Sequence, residues 1–283
     1  MPRRSLTVCR TTGGKGGATT TVSSLAALET AVTGNDPRIV IVSGTISGAK
    51  RVYVGSNKSI VGKSGAKIVG IGLSIVNQTN VIIRNINHSK VPSEFEDAIT
   101  LLRSNNIWVD HMDMSSDRDN GKDFYDGLVD VTHACDYVTI SNSYFHDHYK
   151  GSLVGHSDNN GAEDKGHLTV TYANNHWYNI YSRAPMFRIG TGHLFNSYWN
   201  SCDDGIRTRV GAQLLIESSV FENTNDAIIS KDGYAVVRDV DLGVGTNEAP
   251  VGTLTSVPYS YTLLGSAKVK AAVVGVAGAT LSL

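Results

Sequence analysis

The chain has 283 residues, 41% of them hydrophobic and 18% charged, with a formal net charge of −1. That balance excludes wholesale disorder and suits one large domain or two small ones. It offers no global basic field for nucleic acid and no eighteen-residue apolar run for a membrane, so an anionic partner has to be held by local cations.

In chain order, Met1-Pro2-Arg3-Arg4 is basic like the start of a signal peptide, but no apolar stretch follows it. Residues 11–24 are rich in Gly, Thr and Ser and are expected to form an extended N-terminal segment covering residues 1–24. Leu25-Ala26-Ala27-Leu28-Glu29-Thr30-Ala31-Val32 reads as a short helix over about 25–33, with Ser24 as N-cap, Leu25, Leu28 and Val32 on one apolar face, and Gly34 as the stop.

Beyond the helix the 3.6-residue period disappears. Short apolar runs recur at residues 39–42, 59–61, 67–71, 81–83, 107–109, 137–140, 168–170 and 214–216. Many open on a polar or glycine turn and end on Asn, Ser or His: Thr79-Asn80-Val81-Ile82-Ile83-Arg84-Asn85 parallels Asn105-Asn106-Ile107-Trp108-Val109-Asp110-His111. The repeat of roughly 21–31 residues falls in the solenoid range. In such a fold, inward aliphatic side chains stack on those of the next coil about 4.8 Å away, and loops of varying length leave the corners. The pattern predicts coils over about 38–240, the helix as a cap against exposed strand edges, and a tail over 241–283 that closes the far end or lies along the side. A β-sandwich is the structural alternative, but neither Asn120-Gly121 nor Asp126-Gly127 joins two matched alternating strands.

Three cysteines, Cys9, Cys135 and Cys202, permit at most one disulfide, and no zinc spacing occurs among them. Asn57, Asn77 and Asn87 open glycosylation sequons, and asparagines at corners of the coil would read the same way.

The densest polar stretch spans residues 97–188. Asp126 and Asp130 would stand about 13 Å apart in a straight strand, and Gly127 offers a bend that brings them closer. Asp97 lies about one coil earlier. Three carboxylates from adjacent coils make a hard-oxygen site suited to Ca²⁺, although the spacing alone equally fits solvated aspartates. Lys150, Arg183 and Arg188 come from different coils, with Pro185 setting the backbone between the arginines. Carboxylates beside cations are what a carboxylated sugar requires. His146, His148 and His156 cluster, but their spacing fits no common zinc motif and packing is the expected role. Asp117-Arg118-Asp119-Asn120-Gly121 opens like an EF-hand, yet its glycine falls one place early and no glutamate follows at the right distance. Tyr172, Trp177, Tyr178, Tyr181 and Trp199 are candidates either for a sugar cleft or for packing.

The ordered set Asp97-Ala98-Ile99, Trp108-Val109-Asp110-His111, Asp126-Gly127-Leu128-Val129-Asp130, Asp136-Tyr137-Val138-Thr139-Ile140-Ser141, His148-Tyr149-Lys150-Gly151-Ser152-Leu153-Val154-Gly155 and Arg183-Ala184-Pro185-Met186-Phe187-Arg188 resembles the pectate lyase family (polysaccharide lyase family 1), including its secreted fungal members. Weaker similarity extends over nearly the whole chain. The resemblance implies a single all-β domain over 1–283, a right-handed single-stranded parallel β-helix. It implies Asp97, Asp126 and Asp130 as Ca²⁺ ligands, Arg183 as catalytic base, and Lys150 and Arg188 as substrate-binding, charge-stabilising cations. The Trp108–His111 signature is implied to be structural. The implied substrate is polygalacturonate, cut by β-elimination to 4,5-unsaturated products by a secreted enzyme expected to act as a monomer. An arginine base is ordinarily protonated, so an alkaline pH optimum is expected. Competing readings are a pectin lyase acting on methyl-esterified substrate without calcium, a glycoside hydrolase using Asp203-Asp204, and a non-catalytic solenoid.

Overall fold

The computed structural model describes residues 11–283; the basic start of the chain and Cys9 lie outside the described residues. The architecture is a parallel β-solenoid with three faces. On the first, parallel pairing runs from Ala18–Val22 through Arg38–Val42, Lys58–Gly62, Thr79–Arg84, Asn105–Asp110, Asp136–Ser141, Thr169–Ala173, Thr191–Phe195 and Gln213–Glu222 to Tyr234–Asp241. The second face joins Thr45–Tyr53, Lys67–Val76, Ile99–Leu102, Gly127–Thr132, Tyr144–Val154, Met186–Arg188, Asp204–Arg209 and Asp226–Lys231. The third, narrower face includes Asn87–Ser89, Asp113–Ser115, His176–Ser182 and Tyr198–Asn200. The apolar runs of the sequence fall inside these strands, except that Leu168 stands one residue before Thr169–Ala173. The stretch expected as a wholly extended segment contributes a further strand, Ala18–Val22, whose β-branched Thr19, Thr20, Thr21 and Val22 pair in register with Ile39–Val42.

Register explains the core. Val40, Ile60, Ile83, Val109, Ile140, Tyr172, Leu194 and Ile216 are successive partners up one column. Another column stacks Phe145 on Trp177, Trp177 on Trp199 and Trp199 on Phe221, at ring-centroid distances of 4.1, 6.3 and 4.4 Å. Each such stack adds about 0.5–1.5 kcal/mol beyond the area it buries. Corners bend through left-handed backbone, often at asparagine (Asn57, Asn85, Asn142, Asn174, Asn196), which tolerates positive φ by bonding locally.

The helix Leu25–Val32 is capped by Ser24, whose hydroxyl accepts from the Ala27 N–H at 3.3 Å, and it inserts Leu28, Ala31 and Val32 into the first coils. The tail takes the lateral course. Its helix Ser266–Val273 packs Val269 and Val273 on Tyr198. Gly278 and Leu281 then bond to Asn142 and Asn85, so the chain runs back along the side toward earlier coils. Cys135 and Cys202 are free and buried, with burial pushing both thiols up to about 12. No helix among the described residues is long and apolar enough to cross a membrane.

Candidate active site

Successive coils of the second face deliver the predicted residues. Asp97 stands two residues before the strand Ile99–Leu102. Asp126 immediately precedes the next strand, Gly127–Thr132, and Asp130 lies inside it. Lys150 is the register partner of Gly127 one coil on, and Arg183 follows on the coil after that. Asp97, Asp126, Asp130 and Arg183 line one groove cavity of about 410 Å³, with Glu96, Thr100 and the His133/His156 ring pair at its wall.

The carboxylates are aimed by backbone. One Asp97 oxygen accepts from the Gly127 N–H at 2.9 Å and the other from the Thr100 hydroxyl at 3.0 Å. Asp130 accepts from the Leu153 N–H at 3.0 Å, and its other oxygen lies 4.0 Å from Arg183 Nη1. Gly127 is needed for space rather than for a bend. A Cβ there would lie 2.5 Å from an Asp130 oxygen and 2.8 Å from an Asp97 oxygen, and its backbone lies outside the left-handed region. Burial, reinforced by the Asp126 charge, pushes Asp97 up to about 6, and burial together with Asp97 raises Asp130 well above the usual carboxylate range. Acids packed this closely stay ionised only beside positive charge.

Lys150 supplies part of that charge: its Nζ lies 3.1 Å from Asp126 and 2.9 Å from Asp123. Burial opposes its ammonium, but these two carboxylates outweigh that cost and raise its pKa. Arg188 is not brought into the cavity. Its guanidinium donates to Asp158 at 2.6 Å and to the Gly155 carbonyl at 3.1 Å, and Arg209 shares Asp158.

The histidines serve packing and orientation. His148 is buried, and burial holds its pKa near 4. Its Nε2–H donates to the Asp126 carbonyl at 2.6 Å and its Nδ1 accepts from the Ser116 hydroxyl, so the ring fixes the backbone of a site carboxylate. His146 sits between Asp113 and Asp147. The Trp108–His111 signature lies on the first face, where buried Asp110 gathers the Ser141 hydroxyl, the Asn142 amide and His111. Tyr172, Trp177 and Trp199 are core residues, whereas Tyr178 and Tyr181 are exposed. Sequence reasoning missed Asp123, Glu96, Thr100 and His133. Asp123, Glu96 and His133 sit in loops or just past a strand end, Thr100 is a polar residue inside the strand Ile99–Leu102, and only their contacts across coils identify them.

Among the described residues no three His, Cys, Asp or Glu side chains form a closed metal cage. The donor set is nevertheless the one a hard divalent cation takes: carboxylate oxygens alone, two of them buried and facing each other across a glycine. Asp126 is turned toward Lys150, and a calcium ion with few protein ligands draws the rest from water and substrate.

A parallel β-solenoid carrying a groove of acids and bases along one sheet is a scaffold for handling an extended, charged chain molecule. A family model described as pectate lyase matches residues 6–281. A probable pectate lyase A of Aspergillus fumigatus is 63% identical over 261 residues, covering 91% of this chain and 81% of that protein. Pectate lyase A of Aspergillus niger is 60% identical over 264 residues, covering 92% and 82%. Among solved structures, a pectate lyase from Bacillus sp. N165 in complex with trigalacturonate superposes with a TM-score of 0.87 at 28% identity, over 95% of each chain. The chain belongs to the pectate lyase family and is a polysaccharide lyase.

Proposed function

We propose that this lyase cuts α-1,4-linked polygalacturonate by calcium-dependent β-elimination, leaving 4,5-unsaturated oligogalacturonides. The observation that carries the reading is the meeting of Asp97, Asp126 and Asp130 with Arg183 in one groove, with Lys150 on Asp126. The Bacillus relative was solved with trigalacturonate, a short piece of the same polymer. Asp97, Asp126 and Asp130 would hold the cation, which when bound pairs with a galacturonate carboxylate and acidifies the neighbouring C5–H.

The protein's own groups account for the remaining steps. Lys150 neutralises the negative charge that grows on the substrate carboxylate as the proton leaves. Arg183 takes the C5 proton as the neutral guanidine, which is why an alkaline optimum is expected, and Asp130 sets the direction of its side chain. The C4–O bond then breaks, the electron pair of the C5 carbanion becomes the C4–C5 double bond, and the departing oxygen takes a proton from water and leaves as the hydroxyl of the neighbouring sugar. Arg188 contributes to substrate binding once it exchanges Asp158 for a sugar carboxylate. The same reading has the enzyme acting outside the cell, where a polymeric substrate is accessible, and as a monomer.

The test is ultraviolet absorbance of the unsaturated product on polygalacturonate and on highly methylated pectin, with calcium and with chelator. Polygalacturonate cleavage that chelation abolishes is expected, with an alkaline optimum and loss of at least about 10³-fold in kcat for Arg183→Ala. Turnover that survives chelation and prefers methylated pectin points instead to a pectin lyase. A rate maximum well below neutral pH removes Arg183 as base.

A further inference from the structure

We infer that Tyr53 and Arg51 form a distal subsite for a galacturonate residue of the same polymer chain, on the N-terminal side of the acid cluster. The inference rests on the reading of the groove as a polygalacturonate site and extends it to a place the six predicted residues do not reach. Register makes the connection: Tyr53 pairs with Ser74, Ser74 with Thr100 and Thr100 with Asp130. Tyr53 therefore stands in the outward column that carries Asp130, three coils or about 14 Å away along the axis.

A single exposed aromatic means little by itself. Here Tyr53 is 58% exposed while Val52 beside it is buried, and the Arg51 guanidinium covers the ring at 5.0 Å from its centroid. Arg51 is oriented by a 2.7 Å bond from Nε to the Ser74 hydroxyl and by an ion pair with Glu96. Glu96 also lines the acid-cluster cavity. On the other side, Tyr53 and Ser74 line a second cavity of about 260 Å³ whose polar groups include Asn35 and Gln78. The groove thus continues past the acids over a cation, an aromatic face and amide groups. A galacturonate offers the complement: a carboxylate for the Arg51 fork, which it would share with or take from Glu96, an apolar ring face for Tyr53, and hydroxyls for the amides.

The experiment measures kcat/KM on purified oligogalacturonates from trimer to octamer for wild type, Tyr53→Ala and Tyr53→Phe, with melting temperature as a folding control. Wild type is expected to gain with length. Tyr53→Ala is expected to lose about five- to tenfold on the octamer while staying within about twofold on the trimer, and Tyr53→Phe restores the long-substrate advantage. A Tyr53→Ala series that superimposes on wild type, or a wild type that gains nothing beyond the trimer, overturns the subsite. Absence of turnover by wild type itself would sink the proposed function instead. Calorimetric titration with octagalacturonate needs no turnover and then decides the subsite: weaker binding to Tyr53→Ala upholds it, and equal binding overturns it.

Discussion

At the scale of single residues, the site is organised around an atom that is missing from Gly127. The two buried carboxylates close over its Cα, at distances a methyl group could not share with them. Gly127→Ala should therefore leave the solenoid intact and spread the acids. Disturbing the support of metal ligands costs about 10–100-fold in affinity, so the calcium concentration for half-maximal activity should rise by that order while the melting temperature barely moves. An unchanged calcium dependence would show that the acids do not act together. The same position shows what was legible in the sequence. The residue types and order of Asp97, Asp126, Asp130, Lys150 and Arg183 were readable, and the structure places them on consecutive coils. The reason for the glycine was not readable, because a bend and a lack of space leave the same letter. Nor could spacing along the chain reveal that Arg188 spends its guanidinium on Asp158, since that contact joins separate loops.

At the scale of elements, the informative piece is the loop between the strands Asp113–Ser115 and Gly127–Thr132. It is pinned at one end by Arg118, whose guanidinium lies 5.4 Å from the ring centroids of both Tyr149 and Tyr181 and bonds Asn179 at 2.8 Å. At its other end Asp123, 73% exposed, places its carboxylate on Lys150. An exposed acid on the lysine that should receive a sugar carboxylate competes with substrate. Asp123→Asn should lower KM for polygalacturonate by about two- to fivefold at low ionic strength with kcat little changed. The gap should close at ~0.5 M salt, where exposed pairs are screened. A KM that rises would assign Asp123 to holding Lys150 in place. Strands were the legible elements, since inward stacking imposes an aliphatic pattern that a single sequence displays. This loop was not, because nothing repeats in it and its partners in other elements lie 22 to 85 residues away.

At the scale of the whole molecule, stacking coil on coil leaves little freedom to hydrate a buried ionisable ring, and that sets the response to acid. Burial depresses His88 and His176 to about 4 from an ordinary 6.5. Tyr144 and Tyr198 stack on His176 at 4.6 and 5.2 Å, with Tyr178 nearby. His146 faces it from the preceding coil; burial disfavours the charge on that ring, but Asp113 and Asp147 raise its pKa, and that positive charge adds to the depression of His176. Well above pH 6.5 both rings are neutral whether the chain is folded or not, and they contribute no pH dependence. As pH falls from 6.5 toward 4, the unfolded chain takes up protons that the folded one refuses, so stability declines across that window and levels off below it. The melting temperature at fixed scan rate should drop steadily there. His176→Phe should flatten the decline by about 3–6 °C, because phenylalanine keeps the stack between Tyr144 and Tyr198 and the His176 Nε2 it removes has no hydrogen-bond partner. If the variant's profile ran parallel to wild type from pH 6.5 to 4, His176 would have to be charged in the folded protein, and its ring would then need an acidic neighbour that this coil does not supply.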